Sequence, residues 1–389
     1  MIMQLRTYKY RIYPSSKQKV RLINNFKACK SAYNELLALK KDAYKFGKVS
    51  ISKYDSDAFL KNKFTDIHSQ VKQNVSDRND KAFKNFFRRV KDPKEKQKGF
   101  PRFKSRVNSI TFPQSGFKLL SDKRLKLSKI GSVPIVLHRV PKGIIKTLTI
   151  KVNKANQWFV FFSCEQTDII LKHPSKEEIG IDVGLENFAT FSNKEVIENP
   201  RFLIKSERKL AKFQRRFSKK KKGSVNRRKA KHVLAKQHLK VANQREDFLH
   251  KLSRTLTLNY SKIAVEKLNI KNMLKNHNLA RSISDASWNT FIQFLSYKAV
   301  TCGGQVIQVD ARNTSKKCSN CGTIAEMPLS KRKFLCPNCG LSLHRDLNAS
   351  INIQSRAGLV QTYTPVDDYV RPSFEKAIVC EAGTINNNS

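Results

Sequence analysis

Acidic residues are scarce in this chain: 30 Asp and Glu stand against 77 Lys and Arg, a formal net charge of +47 over 389 residues. A surface so positive along nearly its whole length favours a polyanion over a small acidic metabolite, which leaves nucleic acid as the default partner. Histidine is rarer still, at eight residues, and none is paired at ligand spacing. No phosphate-cradling glycine-rich loop and no nucleophile elbow occur, so nucleotide-dependent and serine-hydrolase chemistry lack their usual residues. No run of about 18 apolar residues is present. Arg6, Lys9 and Arg11 occupy the N-terminal stretch where a secretory signal would place an apolar segment. A soluble, cytoplasmic, nucleoid-associated protein with no membrane partner is expected.

What is present can fold. Hydrophobic residues make up 39% of the chain and include 24 Phe, enough apolar surface to argue against disorder as the reading of a basic sequence. The length exceeds the roughly 250–300 residues at which a single core stops growing, so two or more domains are expected.

Residues 3–13 alternate well enough for a strand, which Pro14 stops. Ser15 or Ser16 can cap a following helix in which Val20, Ile23, Phe26, Ala32, Tyr33, Leu36 and Leu37 recur at helical spacing. A second helix is expected around Phe83, Phe86, Phe87 and Val90, ending before Pro93. From about residue 108 to 166 short β-like runs take over, broken by Gly, Pro and Asn, the texture of a small barrel or sandwich. Residues 3–13 lack a local strand partner, so the economical arrangement is a β domain interrupted after its first strand by a helical lobe. Beyond Pro174 the pattern turns to mixed α/β, with strands over 178–183, 263–268 and 306–310. A long basic helical stretch covers 204–258 and breaks at Gly223. Beyond about residue 360 periodicity disappears, and a mobile tail is expected.

Cys318-Ser-Asn-Cys321 and Cys336-Pro-Asn-Cys339 are separated by 14 residues, and Gly322 or Gly340 follows each pair. Paired thiolates on tight knuckle turns offer the tetrahedral sulfur cage that structural zinc prefers. With four protein ligands no coordination position stays open, so this zinc is structural and stabilises its surroundings by roughly 10 kcal/mol or more. Cys29, Cys164, Cys302 and Cys380 are isolated, and read as small hydrophobes or a tail thiol.

Three acids lie in distinctive settings: Asp182 in Gly180-Ile-Asp-Val-Gly184, Glu266 after Ile263-Ala-Val265, and Asp346 in His344-Arg-Asp-Leu-Asn348. Singly each has a plain reading, as a strand-end acid, a solvated surface acid or a helix cap. Small residues around Asp182 would also let a phosphate or metal approach. Together the order strand-Asp, strand-Glu, helix-Asp is that of RNase H-like nucleases. Such a cluster binds hard divalent ions through oxygen, and a two-metal site would activate water for phosphodiester hydrolysis. Asp310, ending another strand, is a candidate fourth acid, while Asp285 reads as a helix cap.

The basic segments are less specific. Phe100, Arg102, Phe103, Lys104 and Arg106 interleave two rings with three cations, suited to stacking on bases while gripping a backbone. A core Phe pair with solvated cations is the alternative. Lys219, Lys220, Lys221, Lys222, Arg227 and Arg228 suit phosphate contact better than base readout, with a steep dependence on salt.

Taken with Asn243-Gln-Arg-Glu-Asp-Phe-Leu-His250, Val265-Glu-Lys-Leu-Asn269, Asn278 to Trp288, Arg312-Asn-Thr-Ser315 and Arg345-Asp-Leu-Asn-Ala349, these motifs give a chain that resembles TnpB, the RuvC-like protein of insertion sequences related to miniature type V CRISPR nucleases. The resemblance covers roughly residues 5–352. It implies a multidomain α+β fold. A wedge β-barrel over 1–15 and 95–172 is interrupted by a helical recognition lobe over 16–94. An RNase H-like (RuvC) α/β nuclease domain follows over 173–311 and 344–358, carrying a zinc-ribbon insertion at 312–343 and a tail at 359–389. It also implies an RNA-guided DNA endonuclease that binds a guide RNA from the transposon end. Such an enzyme cuts double-stranded target DNA beside a short adjacent motif, with Asp182, Glu266 and Asp346 catalytic and holding Mg2+. Arg332 or Arg345 is a candidate for stabilising phosphate charge. A catalytically silent RNA-guided DNA binder and a strand-transfer transposase are the competing readings.

Overall fold

The computed structural model describes residues 2–359 apart from positions 97, 122, 169–172, 174, 329 and 330. The expected tail beyond 360, with Cys380, lies outside the described residues. The chain divides into two compact units, Met1–Ile169 and Ile170–Ser389.

In the first unit, β1 (Ile2–Ile12) runs into α1 (Ser16–Gly47), α2 (Lys53–Lys61) and α3 (Ser69–Lys91). Ser15 and Gln18 form a capping box, each side chain meeting the other's backbone N–H, so α1 starts where Pro14 has ended the strand. Six strands follow: β2 (Ser109–Pro113), β3 (Phe117–Leu119), β4 (Arg124–Leu127), β5 (Gly131–Val136), β6 (Ile144–Val152) and β7 (Trp158–Asp168). The sheet order is β2-β6-β7-β1-β5-β4-β3, so the first strand sits at its centre, antiparallel to β7 from Ile2↔Asp168 to Ile12↔Trp158. This curled, nearly closed sheet shares one continuous core with the helices. Leu22, Phe26, Leu36 and Leu37 of α1 and Phe83 and Phe86 of α3 bury with Phe112, Val160 and Phe162 of the strands. Each such apolar side chain contributes roughly 1.5–3 kcal/mol when fully buried. Cys29 and Cys164 are buried here as small hydrophobes.

The second unit opens with β8 (Glu178–Val183), β9 (Asn187–Phe191) and β10 (Val196–Glu198), then α4 (Phe202–Ser218) and α5 (Val225–Asn259). Next come β11 (Lys262–Glu266), α6 (Ile270–Met273), α7 (His277–Ala286), α8 (Trp288–Thr301), β12 (Gln305–Val309), β13 (Lys333–Leu335), β14 (Ser342–His344) and α9 (Arg345–Arg356). The main sheet runs β10-β9-β8-β11-β12, with β8, β11 and β12 parallel and the first two antiparallel. Parallel strands need crossovers, and α4–α5 and α6–α8 supply them. Burial explains the near-continuous apolar runs Ile263-Ala-Val265 and Phe188-Ala-Thr-Phe191. β13 and β14 form a separate small hairpin. Among the described residues no helix is long and apolar enough to cross a membrane.

Candidate active site and metal centre

Parallel pairing brings two of the acids side by side. Ala264 is level with Gly180 and Val265 with Ile181, so Glu266 and Asp182 are the next residues on adjacent strands, on the same sheet face. The third arrives on α9 by a regular progression. Gln354 Nε2 donates to Glu178 O at 3.1 Å, and a Cβ on Gly180 would lie 2.2 Å from Ser350 O. Four helix residues advance about 6 Å and two strand residues about 6.6 Å, so one more step sets Asp346 against Asp182. Small residues around Asp182 suggest room for a phosphate or metal, but the space beside Gly180 is taken by the helix backbone instead.

His344, not Asp346, caps α9: its Nδ1 accepts from Asp346 N at 3.4 Å. Asp346 is thereby free of capping and lies in the first turn, where the helix dipole favours a negative charge. Arg345 Nε lies 3.3 Å from Asp346 Oδ1. Glu266 is 8% exposed and Asp346 7%. Burial raises the Asp182 carboxyl well above the ordinary carboxylate range, the charges of Glu266 and Asp346 raise it further, and Arg345 opposes them. Burial also raises Glu266, against the hydroxyl of Thr314, which donates to Glu266 Oε1. Glu266 thus joins the site with its orientation set from residues 312–315.

Asp310 does not join. Its side chain is exposed and paired to Arg312, with Nη2–Oδ2 2.7 Å, which holds its carboxyl below the usual range. Asp285 does cap a helix, though not its own: Oδ2 accepts from Leu203 N of α4 at 3.0 Å, and Oδ1 pairs with Arg245. Arg332 pairs with Glu186 at 2.9 Å.

The four cysteines meet as their spacing suggests. Cys318 Sγ lies 3.6 Å from Cys339 Sγ, and Cys321 Sγ 3.5 Å from Cys336 Sγ. Zinc–sulfur bonds of about 2.3 Å in a tetrahedron put sulfurs about 3.8 Å apart, so this cluster fits a zinc ribbon. Gly322 and Gly340 adopt φ of 78° and 70°, turning each knuckle. Cys321, beside the Thr323 hydroxyl at 3.3 Å, is lowered to about 5, while burial pushes Cys318 up to about 11. Among the described residues these sulfurs are the one set of three or more Cys, His, Asp or Glu ligand atoms within 4.8 Å of one another, so the carboxylates are spaced more widely.

In the basic segments, structure and expectation part at three residues, Phe100, Lys104 and Arg227. The Phe100 ring stacks on Phe86 at 4.5 Å and meets Tyr44 edge-on, so it is occupied inside the protein, and Phe103 is the exposed ring of the pair. Lys104 lies over Tyr33 at 4.0 Å, and its backbone is clamped twice by Asn34. Arg102 and Arg106 are exposed. Arg227 stacks on Phe217 at 4.2 Å and donates to Phe217 O and Lys220 O, stapling the turn between α4 and α5. Lys219, Lys220, Lys221, Lys222 and Arg228 are exposed around it. Sequence reasoning overlooked Asn352, which donates to Thr314 O (2.8 Å) and Lys317 O (2.6 Å). Its signal was an Asn four residues after Asn348 inside a helix, where Asn is disfavoured without a partner.

Comparison with known proteins agrees over nearly the whole chain. Residues 161–277 match the family described as "Probable transposase", 288–353 the "Cas12f1-like, TNB domain" and 1–48 a "Helix-turn-helix domain". In the last segment the chain forms a strand and one uninterrupted helix. A protein of Streptomyces pristinaespiralis named "Putative RNA-guided DNA endonuclease" is 33% identical over 387 residues, covering 96% of this chain and 93% of that one. InsQ of Escherichia coli K12, with the same description, is 31% identical over 377 residues, covering 90% and 92%. A Cas12f1 chain solved with sgRNA and target DNA superimposes with a TM-score of 0.56 at 13% identity, over 90% of this chain and 98% of that chain, a likeness of fold.

Proposed function

This chain belongs to the TnpB family, and on that premise we propose that it is an RNA-guided DNA endonuclease of an insertion sequence. It cuts double-stranded DNA beside a short adjacent motif at one RuvC-like, metal-dependent site. The observation that carries the reading is the convergence of Asp182, Glu266 and Asp346 from two adjacent strand ends and one helix start into a single electrostatically coupled site. The strand order, three parallel strands flanked by an antiparallel pair, supports the RNase H-like assignment.

Magnesium fits these residues. All three donors are hard oxygens, and Asp182 is raised by burial first and then by the charges of Glu266 and Asp346, which a divalent cation would offset. When bound, it supplies water activation and stabilisation of the leaving oxygen. The chain's own residues do the positioning: Thr314 fixes the Glu266 carboxylate, and α9 presents Asp346 to Asp182 across Gly180. Acids that bracket two ions about 3.5–4 Å apart need not lie within one ion's reach of each other. The cysteine cluster holds zinc structurally. Phe103, Arg102, Arg106 and the exposed Lys219 to Lys222 with Arg228 grip nucleic-acid backbone, while pairing with the guide reads sequence.

The test is to purify the protein with its native locus, sequence the RNA it carries, and assay Mg2+-dependent cleavage of a matching plasmid beside Asp182→Ala. RNA-dependent breaks that vanish in the variant are expected. Bound RNA with target binding and no cutting would make it a guided binder, and joined products without RNA a strand-transfer enzyme.

A further inference from the structure

Nearly every side chain of α9 is buried, including the polar Asn348, Ser350, Asn352 and Gln354. Two of these face the strand of backbone that enters the cysteine ribbon. Asn348 Nδ2 donates to Lys317 O at 2.8 Å, and its Oδ1 accepts from Ser319 N at 3.0 Å. Asn352 Nδ2 donates to both Thr314 O and Lys317 O. The clamped segment therefore has Thr314 at one end, with its hydroxyl on Glu266, and the Cys318 knuckle at the other. The ribbon's return arm is tied as well, since Arg345 N donates to Arg332 O at 2.7 Å one residue before Asp346. The ribbon's own core is Cys318, Met327, Phe334 and Cys336, with Ala325 and Leu341 against it. So small a cluster does not hold a fold without a staple, which here is the thiolate–metal cage.

We infer that metal in the four-cysteine cluster sets the geometry of the carboxylate site, with Asn348, Asn352 and Thr314 as positioning residues between them. This rests on the reading of the three carboxylates as metal ligands. Loss of the sulfur-bound metal frees the 314–319 segment, and with it the hydroxyl that orients Glu266 and the helix start that carries Asp346. Coupling of two binding sites is reciprocal, so each metal raises affinity for the other.

Mn2+ is the probe for the carboxylates. Its binding to the full chain is followed by loss of the free-ion paramagnetic resonance signal, with Asp182→Ala as the blank. Zinc removal is expected to weaken Mn2+ binding about tenfold or more, within the usual range of allosteric coupling. In zinc-loaded protein, Asn352→Leu weakens Mn2+ binding and speeds zinc loss to a chromophoric chelator. Thr314→Val weakens Mn2+ binding alone, and Thr314→Ser restores it. Should Asn352→Leu fail to fold, the Thr314 pair and zinc removal still decide. Equal Mn2+ affinity with and without zinc, or unchanged zinc loss and Mn2+ binding in Asn352→Leu, would overturn the coupling. Absence of Mn2+ binding to the zinc-loaded wild type would instead overturn the metal-ligand reading and take the coupling with it.

Discussion

The two ligand clusters of the second unit are poised in opposite ways. In the cysteine cluster the exposed Cys321 thiol is lowered to about 5 by the hydrogen bonds of its own turn, while burial pushes Cys318 up to about 11. In the carboxylate site burial and like charge raise Asp182, so this group resists ionisation until a cation offsets its neighbours. The sulfur site sets exposed thiols lowered by their own turns beside a buried one that is raised, and the carboxylate site concentrates repulsion. The difference teaches that the sulfur cluster is a stabilising element and the carboxylate cluster a destabilising one, as a site built for reaction is expected to be.

The largest effect that tests this contrast is on cutting. Asp182→Ala should slow cleavage about 10³-fold or more, several kcal/mol of lost charge stabilisation, while zinc content measured by metal analysis stays at one per chain. Cys336→Ser should lose the zinc, and in a denaturant melt the second unit's unfolding free energy should fall by several kcal/mol, on the order of half the free energy of a structural zinc site. Gly180→Ala should cost roughly 1–3 kcal/mol in a denaturant melt and reduce cleavage, because the new methyl meets Ser350 O and pushes α9 away. Asp182→Asn should melt higher than the wild type at pH 7–8 in zinc-loaded, Mg2+-free protein. A raised carboxyl binds its proton more tightly folded than unfolded, so the wild type loses stability as pH rises above the ordinary carboxyl range. The advantage of the Asn variant should close as the pH falls back into that range. The smallest effect separates two neighbouring arginines: Arg228→Ala should lower the slope of log affinity against log salt by about 1 without changing the melt. Arg227→Ala, which removes the turn's staple, should lower the melt.

Legibility in the sequence followed the same division. The cysteine cluster was readable because its ligands lie on two local knuckles, whose spacing and glycines reflect nothing distant. Strand-end acids were readable as candidates, since apolar runs ending in Asp182 and Glu266 mark buried parallel strands. Their meeting with Asp346 depended on a helix laid against Gly180, a tertiary contact that no local pattern encodes. Phe100 and Phe103 look alike in the sequence, and only the packing of Phe86 and Tyr44 distinguishes a core ring from an exposed one. The same holds for Arg227 and Arg228: adjacent in the chain, one is turned into the loop and the other away. The short β3 and α2 were missed for want of residues, three and nine being too few to establish a period.

The central position of β1 has a consequence for how the chain is made. Its main partner is β7, from Ile2↔Asp168 to Ile12↔Trp158, so the strand that opens this unit waits for the strand that closes it. At about 5–20 residues per second, some 150 residues take roughly 8–30 s to emerge. Over that interval the α1–α3 helices can find their local contacts, but β1 has both edges open until β5 emerges and the edge that takes β7 open to the end. An unpaired strand edge is a template for pairing with another chain, so the wait for β7 is the interval in which this unit is open to aggregation.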